Sequence, residues 1–140
     1  MSPHQIDLVQ RSFAKVKPIA ATAADLFYNR LFSIDPGLKL MFKSGDMNKQ
    51  GQMLMSMIGA AVAGLRNLET LAPVVRQLGA RHVGYGVQTK HYAVVGGALL
   101  WTLEQGLGEE FTPEVREAWT EAYELLSEVM QLGALEAAAV

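Results

Sequence analysis

The chain has 140 residues, half of them apolar, with 12 lysines and arginines against 14 aspartates and glutamates, three histidines and no cysteine. The lack of cysteine excludes disulfides, zinc–thiolate sites, iron–sulfur clusters, a Cys-x-x-Cys-His attachment and a thiol nucleophile, and the near-neutral balance argues against nucleic acid as the main partner. No apolar run approaches the roughly 20 residues of a membrane span, and the N-terminus lacks the basic and apolar regions of a signal peptide, so one cytoplasmic domain over residues 1–140 is expected.

In chain order, Ser2-Pro3-His4-Gln5 reads as a capping box with proline at the first helical position. Ile6, Val9, Phe13 and Val16 then fall on one face of a 3.6-residue period. Pro18 ends that helix or opens the next, which continues to about residue 34. Asp35-Pro36 is a second cap-and-proline start, leading to a short segment that ends near Phe42. Lys43-Ser44-Gly45-Asp46 reads as a loop, and Met47 to Asn67 places Gln50, Leu54, Met57, Ile58, Ala61 and Leu65 on one stripe.

A shorter helix follows with Leu71, Val75, Leu78 and His82 on one face, and Gly84-Tyr85-Gly86 terminates it. Thr89 is read as the cap of a helix carrying Tyr92, Val95, Leu99 and Leu103, ended near Gly106-Leu107-Gly108. Thr112-Pro113-Glu114 starts the last helix, with Val115, Ala118, Trp119, Ala122, Leu126 and Val129 inward. Residues from about 134 to 140 are expected to fray. The pattern predicts an all-α domain of about seven or eight helices, crossed rather than bundled in parallel, an architecture that leaves pockets between helices.

Residues 1–90 hold 11 basic and 5 acidic side chains, whereas residues 91–140 hold 1 and 9, which reads as a solvated acidic face on the last helix. Motifs for side-chain catalysis are missing: no Gly-x-Ser-x-Gly elbow, no phosphate-binding loop, no His-Glu-x-x-His and no calcium loop. His82 stands on an apolar face, where it is either a buried histidine bonded to a carbonyl or a metal ligand. His4 reads as exposed, and His91, in the first turn of its helix, as solvated or hydrogen-bonded. Met53, Met55 and Met57 read as core filling rather than axial ligation of iron by Met57.

Several blocks share one register with a known family. Leu26-Phe27-Tyr28-Asn29-Arg30-Leu31-Phe32, Asp35-Pro36 and Leu40-Met41-Phe42 resemble the second and third helices of a globin. Gln50 with Leu54 resembles the distal helix of bacterial haemoglobins, and Asn67-Leu68-Glu69 the bend before the proximal helix. Arg81-His82-Val83-Gly84-Tyr85-Gly86-Val87 and His91-Tyr92-Ala93-Val94-Val95-Gly96 are similar to the proximal histidine block, and Ala118-Trp119-Thr120-Glu121-Ala122-Tyr123 to the last helix. The resemblance covers about residues 4–132 and points to single-domain bacterial haemoglobins and the haem domain of flavohaemoglobins, with kinship to the neuroglobin-like type.

The resemblance implies a globin fold around haem b, with His82 as the iron ligand and Phe42, Leu54, Leu78, Arg81, Val87, Tyr92 and Val95 against the cofactor. Tyr28 and Gln50 are implied as the polar groups beside a bound gas, where a phenol and an amide can each donate to the negative charge that dioxygen acquires on binding. The expected ligands are dioxygen, nitric oxide and carbon monoxide, and the expected role is oxygen binding, transport or storage. The alternatives are a nitric oxide dioxygenase served by an external reductase and a haem-based gas sensor. Two departures from flavohaemoglobins bear on the chemistry: no reductase domain is expected within residues 1–140, and Ala134 takes the position of a late glutamate that would polarise the histidine through Tyr92, with Glu136 two residues beyond.

Overall fold

Capping side chains set most helix starts in the computed structural model, which describes residues 1–42, 46–84 and 87–138. The first helix, α1 (Pro3–Val16), opens on the expected box: Ser2 Oγ accepts from the Gln5 amide at 3.2 Å and Ser2 N donates to Gln5 Oε1 at 2.9 Å. A 3-10 turn at Lys17–Ile19 absorbs Pro18 before α2 (Ala20–Ile34). The Asp35 carboxylate accepts from Gly37 N and starts a second 3-10 turn, Pro36–Met41. Asp46 caps α3 (Met47–Ala63) by accepting from Lys49 N, and a turn at Gly64–Arg66 follows.

The next helix, α4 (Leu68–Gly84), is as long as α3 rather than shorter, because the Asn67 carbonyl already accepts from the Thr70 and Leu71 amides. Helix α5 (Thr89–Leu107) is capped by Gln88, one residue before the expected Thr89, and ends at Gly108, whose φ of +57° suits glycine. After a 3-10 turn at Gly108–Glu110, Thr112 Oγ1 accepts from Val115 N and opens α6 (Pro113–Ala138). This last helix runs to Ala138, past the point near 134 where fraying is expected. Among the described residues there are six α-helices, four 3-10 turns and no strand, so the short proline-bearing segment read after Asp35 is a tight turn and not a helix of its own. The loop residues Lys43, Ser44 and Gly45 and the terminator residues Tyr85 and Gly86 lie outside the described residues. No helix among the described residues is long and apolar enough to cross a membrane.

The core has two apolar clusters. One joins α1, α3, α5 and α6 through residues such as Val9, Phe13, Leu65, Leu103 and Trp119. Trp119 Nε1 donates to the buried Ser12 hydroxyl at 2.8 Å, so the indole's one donor is satisfied where burying it unpaired would cost roughly 1–3 kcal/mol. The other cluster gathers Phe27, Tyr28, Leu31 and Leu38 with Ala98 of α5, and Phe32, Phe42, Leu54 and Val95 pack against it.

Helix α4 has α6 as its main packing partner, whereas α3 packs chiefly on α2 and α1. The α4–α6 crossing is made of bare backbone. A Cβ placed on Gly79 would overlap the main chain of Met130, and one on Gly133 the main chain of Arg76. Met53 and Met57, expected as core filling, are instead 52% and 39% exposed, and only Met55 packs against the first cluster. The apolar stripe of α3 turns its Leu54–Ile58 edge inward, which leaves those two methionines at the margin.

Candidate functional site

The side chains singled out in the sequence fall into two main groups. The first is built on α2 and α3. Tyr28 is 6% exposed, enclosed by three phenylalanines: Phe27 and Phe42 meet its ring edge to face at 5.1 and 5.3 Å, and Phe32 stacks at 5.9 Å. Burial pushes its phenol above the usual range, and a hydrogen bond from the Gln50 side chain partly offsets this. The phenol therefore stays protonated at neutral pH. Leu54, one turn beyond Gln50, and Val95 of α5 complete this apolar surround. A small apolar cavity of about 20 Å³ lies behind it, lined by Phe27, Leu54, Ile58, Leu99 and Trp119 among others.

The second group is built on α4 and the corner after it. His82 is half-buried, and its Nδ1 lies 2.6 Å from the carbonyl oxygen of Leu78, one turn back. A carbonyl can only accept, so Nδ1 carries a proton, and in the neutral ring the lone pair is then on Nε2. Leu78 is half-buried and belongs to neither apolar cluster among the described residues. The amide of Val87 donates to the carbonyl of His82 itself at 3.0 Å. Arg81 is exposed.

Tyr92 is buried on α5, and its carbonyl accepts from the Tyr123 hydroxyl at 2.6 Å. Burial raises both phenols, Tyr123 the more strongly, with the neighbouring Tyr92 adding to it. Glu136 does not reach Tyr92; it pairs with Arg76 on the exposed side of the α4–α6 crossing. The structure thus assembles Tyr28, Gln50, Phe42, Leu54 and Val95 around one phenol, and ties Leu78, His82 and Val87 to one another at the end of α4. Tyr92 is anchored separately, to α6.

An imidazole held through Nδ1 by a backbone carbonyl and a buried phenol are side-chain types that a haem pocket can use, the one as an iron ligand and the other as a polar group for a gas. The sequence profile of the globins matches residues 25–130. The chain belongs to the globin family. This globin is 33% identical over 133 residues to a flavohemoprotein of Xylella fastidiosa, an alignment covering 93% of the chain and 33% of that protein. It is 30% identical over 125 residues to a flavohemoprotein of Bacillus subtilis (88% and 31%) and 36% identical over 105 residues to one of Halalkalibacterium halodurans (74% and 26%). The globin spans about a third of the length of the curated relatives it matches.

No role for Tyr123 is legible in the sequence, and that of His91 stays open there. Tyr123 fixes the Tyr92 backbone, and the visible signal was Gly96: a Cβ there would lie 2.7 Å from the Tyr123 ring, so α5 and α6 meet at that glycine. His91 is 5% exposed and bonded to the Gln88 amide, so of its two sequence readings the solvated one is excluded.

Proposed function

We propose that this globin holds haem b non-covalently in the cytoplasm, with His82 as the iron ligand, and reversibly binds dioxygen, nitric oxide and carbon monoxide. Its role in this reading is oxygen binding, transport or storage. The observation that carries it is the phenol of Tyr28, buried among three phenylalanine rings and kept protonated by that burial, so that it has a proton to donate to an incoming gas.

The haem, when bound, supplies the iron to which a diatomic gas attaches. The chain's own work is to position and to discriminate. His82, held by Leu78 through Nδ1, presents Nε2 in a set direction. Tyr28 offers a donor within an aromatic wall of Phe27, Phe32 and Phe42 that excludes water, where a hydrogen bond to charge counts for more than in solvent. Phe42, Leu54, Leu78, Val87, Tyr92 and Val95 would line the cofactor, and Arg81, at the surface, would stand at its polar edge.

A second reading, nitric oxide dioxygenase, is supported by the relatives named flavohemoprotein, a name that pairs haem with flavin. The haem part is assigned to the third of those proteins that this chain matches, and electrons would come from an external reductase. Repeated cycling of the reduced protein between air and nitrogen tests the first reading: the visible spectrum should alternate between two states over many cycles. Immediate conversion to the ferric form in the first air step would contradict reversible binding.

A further inference from the structure

We infer that His91 is a positioning residue for His82, acting through the α4–α5 corner and not as a ligand. The inference rests on the reading above, in which His82 holds the iron.

His91 is the third residue of α5 and is buried. Its Nδ1 accepts from the Gln88 amide at 2.9 Å, while its own amide donates to the Gln88 carbonyl at 2.9 Å. This reciprocal pair is the return half of a capping box, a role ordinarily filled by the longer side chains of glutamate or glutamine. It fixes the peptide at residue 88 against the first turn of α5. The residue before it, Val87, donates its amide to the His82 carbonyl at 3.0 Å, a closure of the kind that seals a helix C-terminus. Two consecutive amides therefore tie opposite helices together, one to the backbone of His82 and the other to the ring of His91.

The direction of the His82 imidazole depends on the last turn of α4, since its Nδ1 bonds back to Leu78. That turn is closed by Val87, and Val87 is held in place by the Gln88–His91 pair. His91 cannot be the ligand in the same state. Accepting at Nδ1 puts its proton on Nε2, so the neutral ring has no lone pair to offer, and its burial leaves little room to swing out.

The test compares three haem-loaded proteins: the parent, His91→Phe and His91→Gln. Phenylalanine keeps the ring and the burial without an acceptor, and glutamine restores the acceptor of an ordinary capping box. In His91→Phe, amide exchange at Gln88 should accelerate about 5- to 10-fold, the loss expected of one hydrogen bond. The iron–imidazole vibration of the ferrous protein should shift or broaden, and transfer of haem to an acceptor protein should quicken several-fold. His91→Gln should return all three toward the parent. Parent-like exchange and vibration in His91→Phe, or His91→Gln behaving like His91→Phe, would overturn the inference. The ¹⁵N shift of His91 in the parent needs no variant: an unprotonated Nδ1 supports the pair, and a protonated one overturns it. A His82→Ala control separates the two claims. If it keeps haem as the parent does, the ligand assignment fails. If it loses haem while His91→Phe keeps the parent's exchange and vibration, only the positioning role fails.

Discussion

Gln50 of α3 stands beside the buried phenol of Tyr28 on α2 and partly offsets the rise in pKa that burial gives it. In the proposed reading Tyr28 is the donor to a bound gas and Gln50 supports it. Dioxygen acquires negative charge when it binds ferrous haem, whereas carbon monoxide stays nearly neutral. Hydrogen bonds to charged acceptors contribute roughly 1.5–3 kcal/mol, or about 10- to 150-fold in an equilibrium constant. Tyr28→Phe should raise the dioxygen off-rate by most of that factor and change carbon monoxide release much less. Gln50→Leu should have the smaller effect on dioxygen. Stopped-flow measurement of both gases on both variants decides it, and an unchanged dioxygen off-rate in Tyr28→Phe would remove the phenol from the pocket.

Burial raises the phenols of Tyr28, Tyr92 and Tyr123 above their unfolded value of about 10. A folded state that holds protons more tightly than the unfolded one has this stability in full below pH of about 10, and loses it as pH climbs through the folded values. Denaturant unfolding of the parent should therefore show stability falling steeply above that pH. Tyr123→Phe should lower stability overall, through the lost bond to the Tyr92 carbonyl, yet flatten the alkaline slope. An identical slope in the two proteins would place the linkage elsewhere.

The α4–α6 crossing predicts a sharp contrast between glycines. Gly79→Ala and Gly133→Ala each force a methyl into opposing backbone and should cost at least about 1–3 kcal/mol by overpacking. Gly97, exposed in the middle of α5 with open space around it, should gain roughly 0.5–1 kcal/mol when replaced by alanine. Chemical denaturation of the three variants checks both signs. A neutral Gly79→Ala would mean that the two helices do not meet at these glycines.

If the chain supplies the haem half of a nitric oxide dioxygenase, its oxygenated form purified alone should consume an equivalent amount of nitric oxide, become ferric and stop. Adding NADH alone should not restart it, and adding a flavin-bearing reductase should. An electrode trace of sustained nitric oxide consumption with NADH alone would contradict the need for an external reductase.

Local chemistry was readable from the chain and distant chemistry was not. The caps at Ser2, Asp35 and Thr112 depend on residues two or three positions apart, so the sequence pattern placed those starts, whereas Asp46 reads only as loop. Gln88 replaced Thr89 as a cap because the acceptor for its amide is a histidine ring, which carries no capping signature. Met53 and Met57 were misplaced because methionine at helical spacing marks a stripe without saying whether its edge is covered. Gly79 and Gly133 look like ordinary helical glycines until two distant helices are brought together. For the site, the apolar face under His82 was legible, but Tyr28 and Gln50 entered through family likeness. They stand on two different helices, and spacing along the chain could not show that they meet.

The visible spectrum of the purified protein, read in the ferric, ferrous and carbon monoxide–bound ferrous forms beside that of His82→Ala, tests the central claim most directly. The account predicts a coloured protein with stoichiometric haem, a ferrous spectrum that shifts when carbon monoxide is added, and loss of most of the haem in His82→Ala. A colourless parent, or a His82→Ala variant whose haem content and spectra match the parent's, would contradict it.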